Sequence, residues 1–347
     1  MYFASDNSGP VPQEVLDALA EANSGYAMGY GDDPLTAEVQ TRIREIFEAP
    51  QAAVYLVATG TAANVLGLAT VTQPWQTIFC TPVAHIHQDE CNAPEFYTGG
   101  AKLTLVGDGD RMTPETLRAA IEAEGNRGVH GPQRGCVSLT SVTECGTVYG
   151  LDELHALAAV AKGYGLPVHQ DGARFANALV ALDCSPAEMT WKAGVDVLSF
   201  GGTKNGLMGA EAVVLFDPDR AQEFEYRRKR GGHLFSKHRY LSAQMAAYLT
   251  DDLWLRLARL ANERAAQLAQ GLRDCGVDFA FEPAANMVFA QLTRATHKRL
   301  QDAGAIYHLW EGTQEGNDPD EFLTGRLVCD WSLPEQDVTR FLTVLKG

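Results

Sequence analysis

No stretch of this sequence comes near the roughly 18 to 20 consecutive apolar residues that a membrane span needs. Positive charge is scarce as well: 28 Lys+Arg stand against 44 Asp+Glu, a formal net charge of −16. A field of that sign repels phosphate backbones and anionic headgroups, so nucleic acid and membrane surfaces drop out of the expected partners. The cysteines (Cys80, Cys91, Cys136, Cys145, Cys184, Cys275 and Cys329) are scattered and include no Cys-x-x-Cys pair. That usage argues against a disulfide framework and fits a reducing compartment. Met1-Tyr2-Phe3-Ala4-Ser5-Asp6 lacks the basic start and apolar run of a secretory signal, so the expected location is the cytoplasm. Internal repeats and low-complexity linkers are missing too.

What remains is an ordinary globular composition, 46% hydrophobic and 21% charged over 347 residues. That length suggests about two domains and a core that needs no metal or disulfide staple. Short apolar runs alternate with helix-patterned stretches. Strands are predicted over 53–57, 77–80, 103–106, 136–140, 166–169, 195–200 and 212–216. Helices are predicted from Thr61, from Thr113-Pro114-Glu115 and over 151–163, and Ser185-Pro186-Ala187-Glu188 reads as a capping box. This alternation predicts an α/β fold with a mostly parallel central sheet flanked by helices, whose ligands collect at the carboxyl ends of the strands.

After residue 240 the texture changes. A helical stretch over 241–275, a strand over 286–292, a helix over 296–303 and a strand over 325–329 suggest a smaller α+β C-terminal domain. The expected division is an N-terminal arm over 1–14, a large α/β domain over 15–240 and the small domain over 241–347. Residues 311–321, rich in Gly, Asn, Asp and Glu, read as an exposed, mobile loop.

Three strand ends carry candidate chemistry. Ala58-Thr59-Gly60-Thr61-Ala62-Ala63-Asn64 leads from a strand into a helix and offers free N–H groups at a positive helix end, a phosphate seat. It also reads as a plain strand-to-helix turn, and it is neither a P-loop nor G-x-G-x-x-G. His169-Gln170-Asp171-Gly172-Ala173-Arg174 places an Asp and an Arg around small residues, either beside a planar ligand or as an Asp–Arg salt bridge. Ser199-Phe200-Gly201-Gly202-Thr203-Lys204-Asn205-Gly206 sets one Lys in a bare backbone, as a Lys sharing space with a flat cofactor requires. Together the three suit pyridoxal 5'-phosphate. That coenzyme needs a phosphate seat, an amine for its aldehyde, and a carboxylate that keeps its ring nitrogen protonated.

Two other patterns compete for attention. His85-Ile86-His87-Gln88-Asp89-Glu90 mimics a His-x-His-x-Asp metal motif. Nothing places the further ligands a zinc site needs, so no metal is expected and His87 reads as a polar loop residue. Arg227-Arg228-Lys229-Arg230 reads as a solvated helix end or as an anion-holding edge beside a partner subunit.

Six segments resemble the L-threonine aldolase family of fold type I pyridoxal phosphate-dependent enzymes, closest to its low-specificity bacterial members. They are Phe3-Ala4-Ser5-Asp6-Asn7, Tyr30-Gly31-Asp32-Asp33, Thr59-Gly60-Thr61-Ala62-Ala63-Asn64, Ala84-His85-Ile86, Asp171-Gly172-Ala173-Arg174-Phe175, and Phe200-Gly201-Gly202-Thr203-Lys204-Asn205-Gly206. The resemblance runs along nearly the whole chain and implies a fold type I transferase-like architecture. It implies aldol cleavage of L-threonine, L-allo-threonine and related substrates such as phenylserine to glycine and an aldehyde. Lys204 would bond to the coenzyme aldehyde, Asp171 would pair with the pyridine nitrogen, and Gly60, Thr61 and Thr203 would hold the phosphate. His85 would stack on the ring within reach of the substrate hydroxyl. Arg174 and Arg326 would bind the substrate carboxylate with Ser5. Tyr30 would lie near the site, reaching in from a neighbouring subunit of a homotetramer built as a dimer of dimers. Several relatives carry a second active-site His where this chain has Glu144, which leaves the general base open among His85, Glu144 and a water. Another fold type I enzyme acting on a small amino acid, a β-eliminating lyase or an aminotransferase, is the alternative, because the Lys–Asp–phosphate core is common to all of them.

Overall fold

A computed structural model of residues 1–347 contains two sheets. The larger holds β1 (Ala53–Val57), β2 (Gln76–Cys80), β3 (Lys102–Leu105), β4 (Gln133–Thr140), β5 (Val168–Gly172), β6 (Val197–Phe200) and β7 (Glu211–Leu215), in the order β1-β7-β6-β5-β4-β2-β3. Strands β2 to β6 pair in parallel, and only β7 runs against its neighbours. Side chains alternate between two apolar layers: Leu56, Val137, Leu198 and Val214 join one, Val57, Cys136, Val197 and Val213 the other. A sheet buried on both faces is what parallel strands with crossover helices require. The mostly parallel sheet between helices is the architecture the sequence pattern predicts.

The smaller sheet is antiparallel: β8 (Asp278–Phe281), β9 (Met287–Thr293), β10 (His308–Glu311) and β11 (Phe322–Val328), ordered β10-β11-β9-β8. Helices Leu253–Asp274, Arg294–Asp302 and Glu335–Lys346 pack on it through Leu268, Leu272, Leu300 and Phe341. The N-terminus joins this unit. Phe3 is buried in the same cluster, its N–H donates to the Ile306 carbonyl, and its own carbonyl accepts from Val328. This pinning carries the next few residues toward the carboxyl end of β5.

Some local expectations change. The helical stretch over 241–275 is two helices, Arg239–Leu249 and Leu253–Asp274, broken where Asp251 and Asp252 take φ of 50° and 53°. Asp tolerates that left-handed region better than most residues. The Ser185–Glu188 box makes both of its bonds, at 2.8 and 3.2 Å, but closes a turn instead of opening a long helix. Gly194, at φ 103°, then directs the chain into β6. The segment 311–321 is exposed as expected but fastened: the buried Arg294 guanidinium donates to the carbonyls of Thr313, Glu315 and Asp318 and pairs with Glu321.

His169 on β5 is fully buried between Ser138 Oγ, 3.0 Å from Nδ1, and Ser199 Oγ, 3.1 Å from Nε2. Burial pushes its pKa down from 6.5 to about 4. The unfolded chain therefore takes up this proton first, and its contribution to stability, full above pH 6.5, is lost as the pH falls toward about 4. Urea unfolding at pH 7 and pH 5 should show this loss, and His169→Asn should shrink the difference between the two midpoints.

Candidate active site

β5 and β6 pair in parallel with Asp171 opposite Ser199 and Gly172 opposite Phe200. At their ends and just beyond, the chains touch: a Cβ on Gly172 would stand 2.7 Å from the Ser199 carbonyl oxygen, and one on Gly201 2.5 Å from that of Ala173. Only glycine permits such backbone contact. The result is that Asp171, Arg174, Thr203 and Lys204 share one cavity of about 420 Å³ with Gly60, Thr61, Asn64, His85, Glu90 and Glu144.

The buried Asp171 is held by two donors. Its Oδ2 accepts from Asn64 Nδ2 at 2.8 Å and its Oδ1 from the Ala173 N–H at 2.9 Å. Asn64 Nδ2 also donates to Glu90 Oε1 at 2.9 Å, and the same oxygen lies 2.8 Å from His85 Nδ1. The Glu90 hydrogen bond pulls the His85 pKa above its ordinary value against the opposing effect of burial. Glu144 Oε1 accepts from the His85 backbone N–H at 2.7 Å, while its shielded Oε2 has no partner. Burial, with Asp171 nearby, pushes the Glu144 carboxyl up to about 7.

Lys204 sits half-buried in the tight turn Thr203–Asn205 that follows β6. Burial and the charge of Arg174 lower its pKa, outweighing Asp6, Asp171 and Glu211. The turn is braced from below. Buried Glu211 accepts from the Gly202 N–H at 2.6 Å, and Asn205 Nδ2 donates to Tyr248 Oη at 2.7 Å and to the Trp254 carbonyl at 2.8 Å. Across the cavity, Thr59 caps the helix Gly60–Val71 by accepting from the Ala62 N–H at 3.1 Å. The space beside Gly60 is open, and the buried Thr203 Oγ1 has no partner.

Arg174 is committed to the N-terminal arm. Its Nε and Nη2 donate to Asp6 Oδ2 and Oδ1 at 2.6 and 2.9 Å, and Asn286 Nδ2 adds a bond to Oδ2 at 3.1 Å. Burial alone would raise the Asp6 carboxyl, but Arg174 and Lys204 hold it below the usual range. The salt bridge anticipated for the strand end therefore exists, with Asp6 and not Asp171 as the carboxylate. Arg326 on β11 is half-buried with its Nε unpartnered, and only Met287 Sδ stands near its Nη2, at 3.8 Å. Burial and the neighbouring Arg174 charge lower its pKa.

The beta-eliminating lyase family profile matches residues 2–295. The low specificity L-threonine aldolase of Pseudomonas aeruginosa is 43% identical, covering 95% of this chain and 92% of its own. That of Pseudomonas sp. (strain NCIMB 10558) is 40% identical, over 97% of this chain and 94% of its own. This chain belongs to the L-threonine aldolase family. The solved structure of Leishmania major threonine aldolase matches with a TM-score of 0.92 at 28% identity, covering 99% of this chain and 98% of that one.

The family pattern and the cavity agree unevenly. Lys204, Asp171, Gly60, Thr61, Thr203, His85, Glu144 and Arg174 all line the cavity. Ser5 does not. Its Oγ accepts from the Asn7 N–H at 3.1 Å, and Asn7 is the arm residue on the wall. Tyr30 lies outside this cavity, in a surface hollow with Arg228, its ring 4.8 Å from Lys229 Nζ. His87 is exposed. The basic run ends the helix Ala221–Arg230. Arg227 pairs with Glu223, but Arg228 is buried over the Tyr55 ring at 4.9 Å, so the solvated-end reading fails for that residue.

Four site residues carried no role in the sequence reading: Asp6, Asn64, Glu90 and Glu211. Asp6 and Asn64 stood inside family segments, and Glu90 ended the metal-like motif. Glu211 offered one signal, an ionisable residue opening an apolar strand. Removing one partner of a buried pair leaves an uncompensated charge. Asp6→Ala should therefore lower stability by about 3 kcal/mol in urea unfolding.

Proposed function

We propose that this chain is a pyridoxal phosphate-dependent lyase that cleaves L-threonine, L-allo-threonine and related β-hydroxy-α-amino acids to glycine and an aldehyde. One observation carries the reading: a single shielded amine, Lys204, shares a cavity with Asp171 near the unpaired guanidinium of Arg326.

The residues present fit the coenzyme. The first N–H groups of a helix have no carbonyl ahead of them within the helix, so Gly60 and Thr61 present free donors beside the unpartnered Thr203 Oγ1. These would hold the phosphate, Asp171 the ring nitrogen, Lys204 the aldehyde and His85 one face of the ring. Bound there, the coenzyme supplies an aldehyde for an amine and, with its ring nitrogen protonated, a sink for electrons of the breaking bond.

The protein's own groups do the rest. A lowered pKa leaves more of Lys204 in the unprotonated form that attacks an aldehyde. Arg326 takes the substrate carboxylate together with Arg174, which Asp6 holds still. Fixing that carboxylate sets the orientation of the Cα–Cβ bond, a proximity effect. Glu144 accepts the β-hydroxyl proton. Its Oε2 is unpartnered and its pKa of about 7 suits proton exchange near neutrality, which favours it over His85.

Finer parts of the reading follow from the same site. The arm over 1–14 reaches the cavity wall through Asn7, with Asp6 gripping the wall residue Arg174, which supports its standing apart from a large domain over 15–240 and a small one over 241–347. Tyr30, exposed beside Tyr26, Met28 and Phe235, supports a homotetramer in which it reaches a neighbour's cavity. The unpaired cysteines suit the cytoplasm.

Incubation with L-threonine should release acetaldehyde and glycine, and Lys204→Ala should abolish turnover. Release of 2-oxobutanoate and ammonia would overturn the aldol reading in favour of elimination. Glu144 must be ionised to accept a proton, so kcat should rise with pH through about 7. Glu144→Gln should cut kcat by roughly 10²- to 10⁴-fold and remove that limb of the profile.

A further inference from the structure

The cavity wall contains a carboxyl group that the proposed reaction does not use. Glu90 is buried, and its Oε1 stands 2.9 Å from Asn64 Nδ2 and 2.8 Å from His85 Nδ1. Its Oε2 is buried without a partner. Asn64 directs its amide nitrogen at two carboxyl oxygens, Asp171 Oδ2 and Glu90 Oε1, while its own Oδ1 is buried and unpartnered. An amide nitrogen only donates, so both oxygens must accept there. Asp171, Asn64, Glu90 and His85 thus form one unbroken hydrogen-bonded chain from the end of β5 to a ring on the cavity wall.

We propose that Glu90 is a positioning residue: through Nδ1–H donating to Oε1 it fixes the His85 ring and its tautomer, leaving Nε2 as an acceptor toward the cavity, and through Asn64 it ties that ring to Asp171. The partner of one imidazole nitrogen decides which nitrogen carries the proton. The charged groups facing His85 are Glu90 and Asp171, which hold its proton on, and Lys204, which opposes them; Glu144 meets its backbone N–H. With Glu90 dominant, His85 keeps its proton to a higher pH than a free imidazole. The proposal rests on the coenzyme reading only for what the ring faces.

The test is nitrogen NMR of coenzyme-loaded protein labelled with ¹⁵N-histidine, the His85 signals being those lost in His85→Gln. In the wild type the neutral ring should carry its proton on Nδ1. Glu90→Gln keeps an oxygen acceptor and removes the charge, so the His85 titration should fall by about one unit or more. A neutral wild-type ring protonated on Nε2, which would mean that Glu90 supplies the proton, overturns the proposal. So does an unmoved titration in a folded Glu90→Gln. The wild-type measurement stands even where the variant does not fold. The signals also separate the two readings: an Nδ1–H ring in a protein that leaves threonine intact overturns the reaction alone, whereas an Nε2–H ring in an active aldolase overturns only the role of Glu90.

Discussion

The parallel pairing of β5 with β6 is the constraint from which the site hangs. Two neighbouring strands that run the same way leave the sheet at the same edge, so Asp171 and Lys204 come to one place although a helix separates them in sequence. The approach is tightened where Gly172 and Gly201 let backbone meet backbone. Any side chain at either position would push the Lys204 turn away from the carboxylate. The helix Gly60–Val71 completes the arrangement, because its amino end opens on the same edge and its Asn64 reaches Asp171.

Buried polar groups cost free energy unless they are partnered, and the groups in and around the cavity divide along that line. Asp6 with Arg174, Asp171 with Asn64, and Glu90 with His85 answer one another inside the protein. Arg326 Nε, Thr203 Oγ1 and Glu144 Oε2 do not. The satisfied groups fix geometry. These three are atoms to which a ligand can contribute, and their chemistry is a cation for a carboxylate, a hydroxyl for a phosphate and an oxygen for a proton, whereas Asn64 Oδ1 and Glu90 Oε2 stay unpartnered within otherwise bonded side chains. Cations are outnumbered in this acidic chain, yet Lys204 and Arg326 both lie within the field of Arg174. The Arg174 charge is part of what lowers the proton affinity of both.

The N-terminal arm links the two sheets to this chemistry. Phe3 is anchored in the core of the smaller unit, and three residues later Asp6 grips Arg174 at the end of β5. Asn286, just before β9, grips the same carboxylate. A change in how the small unit packs would therefore be felt by Arg174 without touching β5.

Most of the large sheet was legible because its strands are short apolar runs set off by Gly and Pro, and the helix over 151–163 matches its predicted ends. The helices Gln13–Ala22, Pro34–Ile46 and Glu335–Lys346 and the strands β8 and β10 went unread: Pro12, Pro34 and Pro334 mark the starts of the three helices, but all five segments are amphipathic or half-exposed and carry no continuous apolar run. Local chemistry was legible too: a lone Lys in a glycine-rich turn and an Asp closing a strand name a chemistry by their residue types. The partners of those groups were not. Asp6 with Arg174, Asn64 with Asp171, and Glu90 with His85 and Asn64 depend on angles and distances between segments far apart in the chain or on separate elements. The same holds for the position of Tyr30 outside its own cavity and for the burial of Arg228. Propensity and periodicity act over a few residues, whereas the partner of a buried charge is chosen by whichever elements the packing brings within about 3 Å.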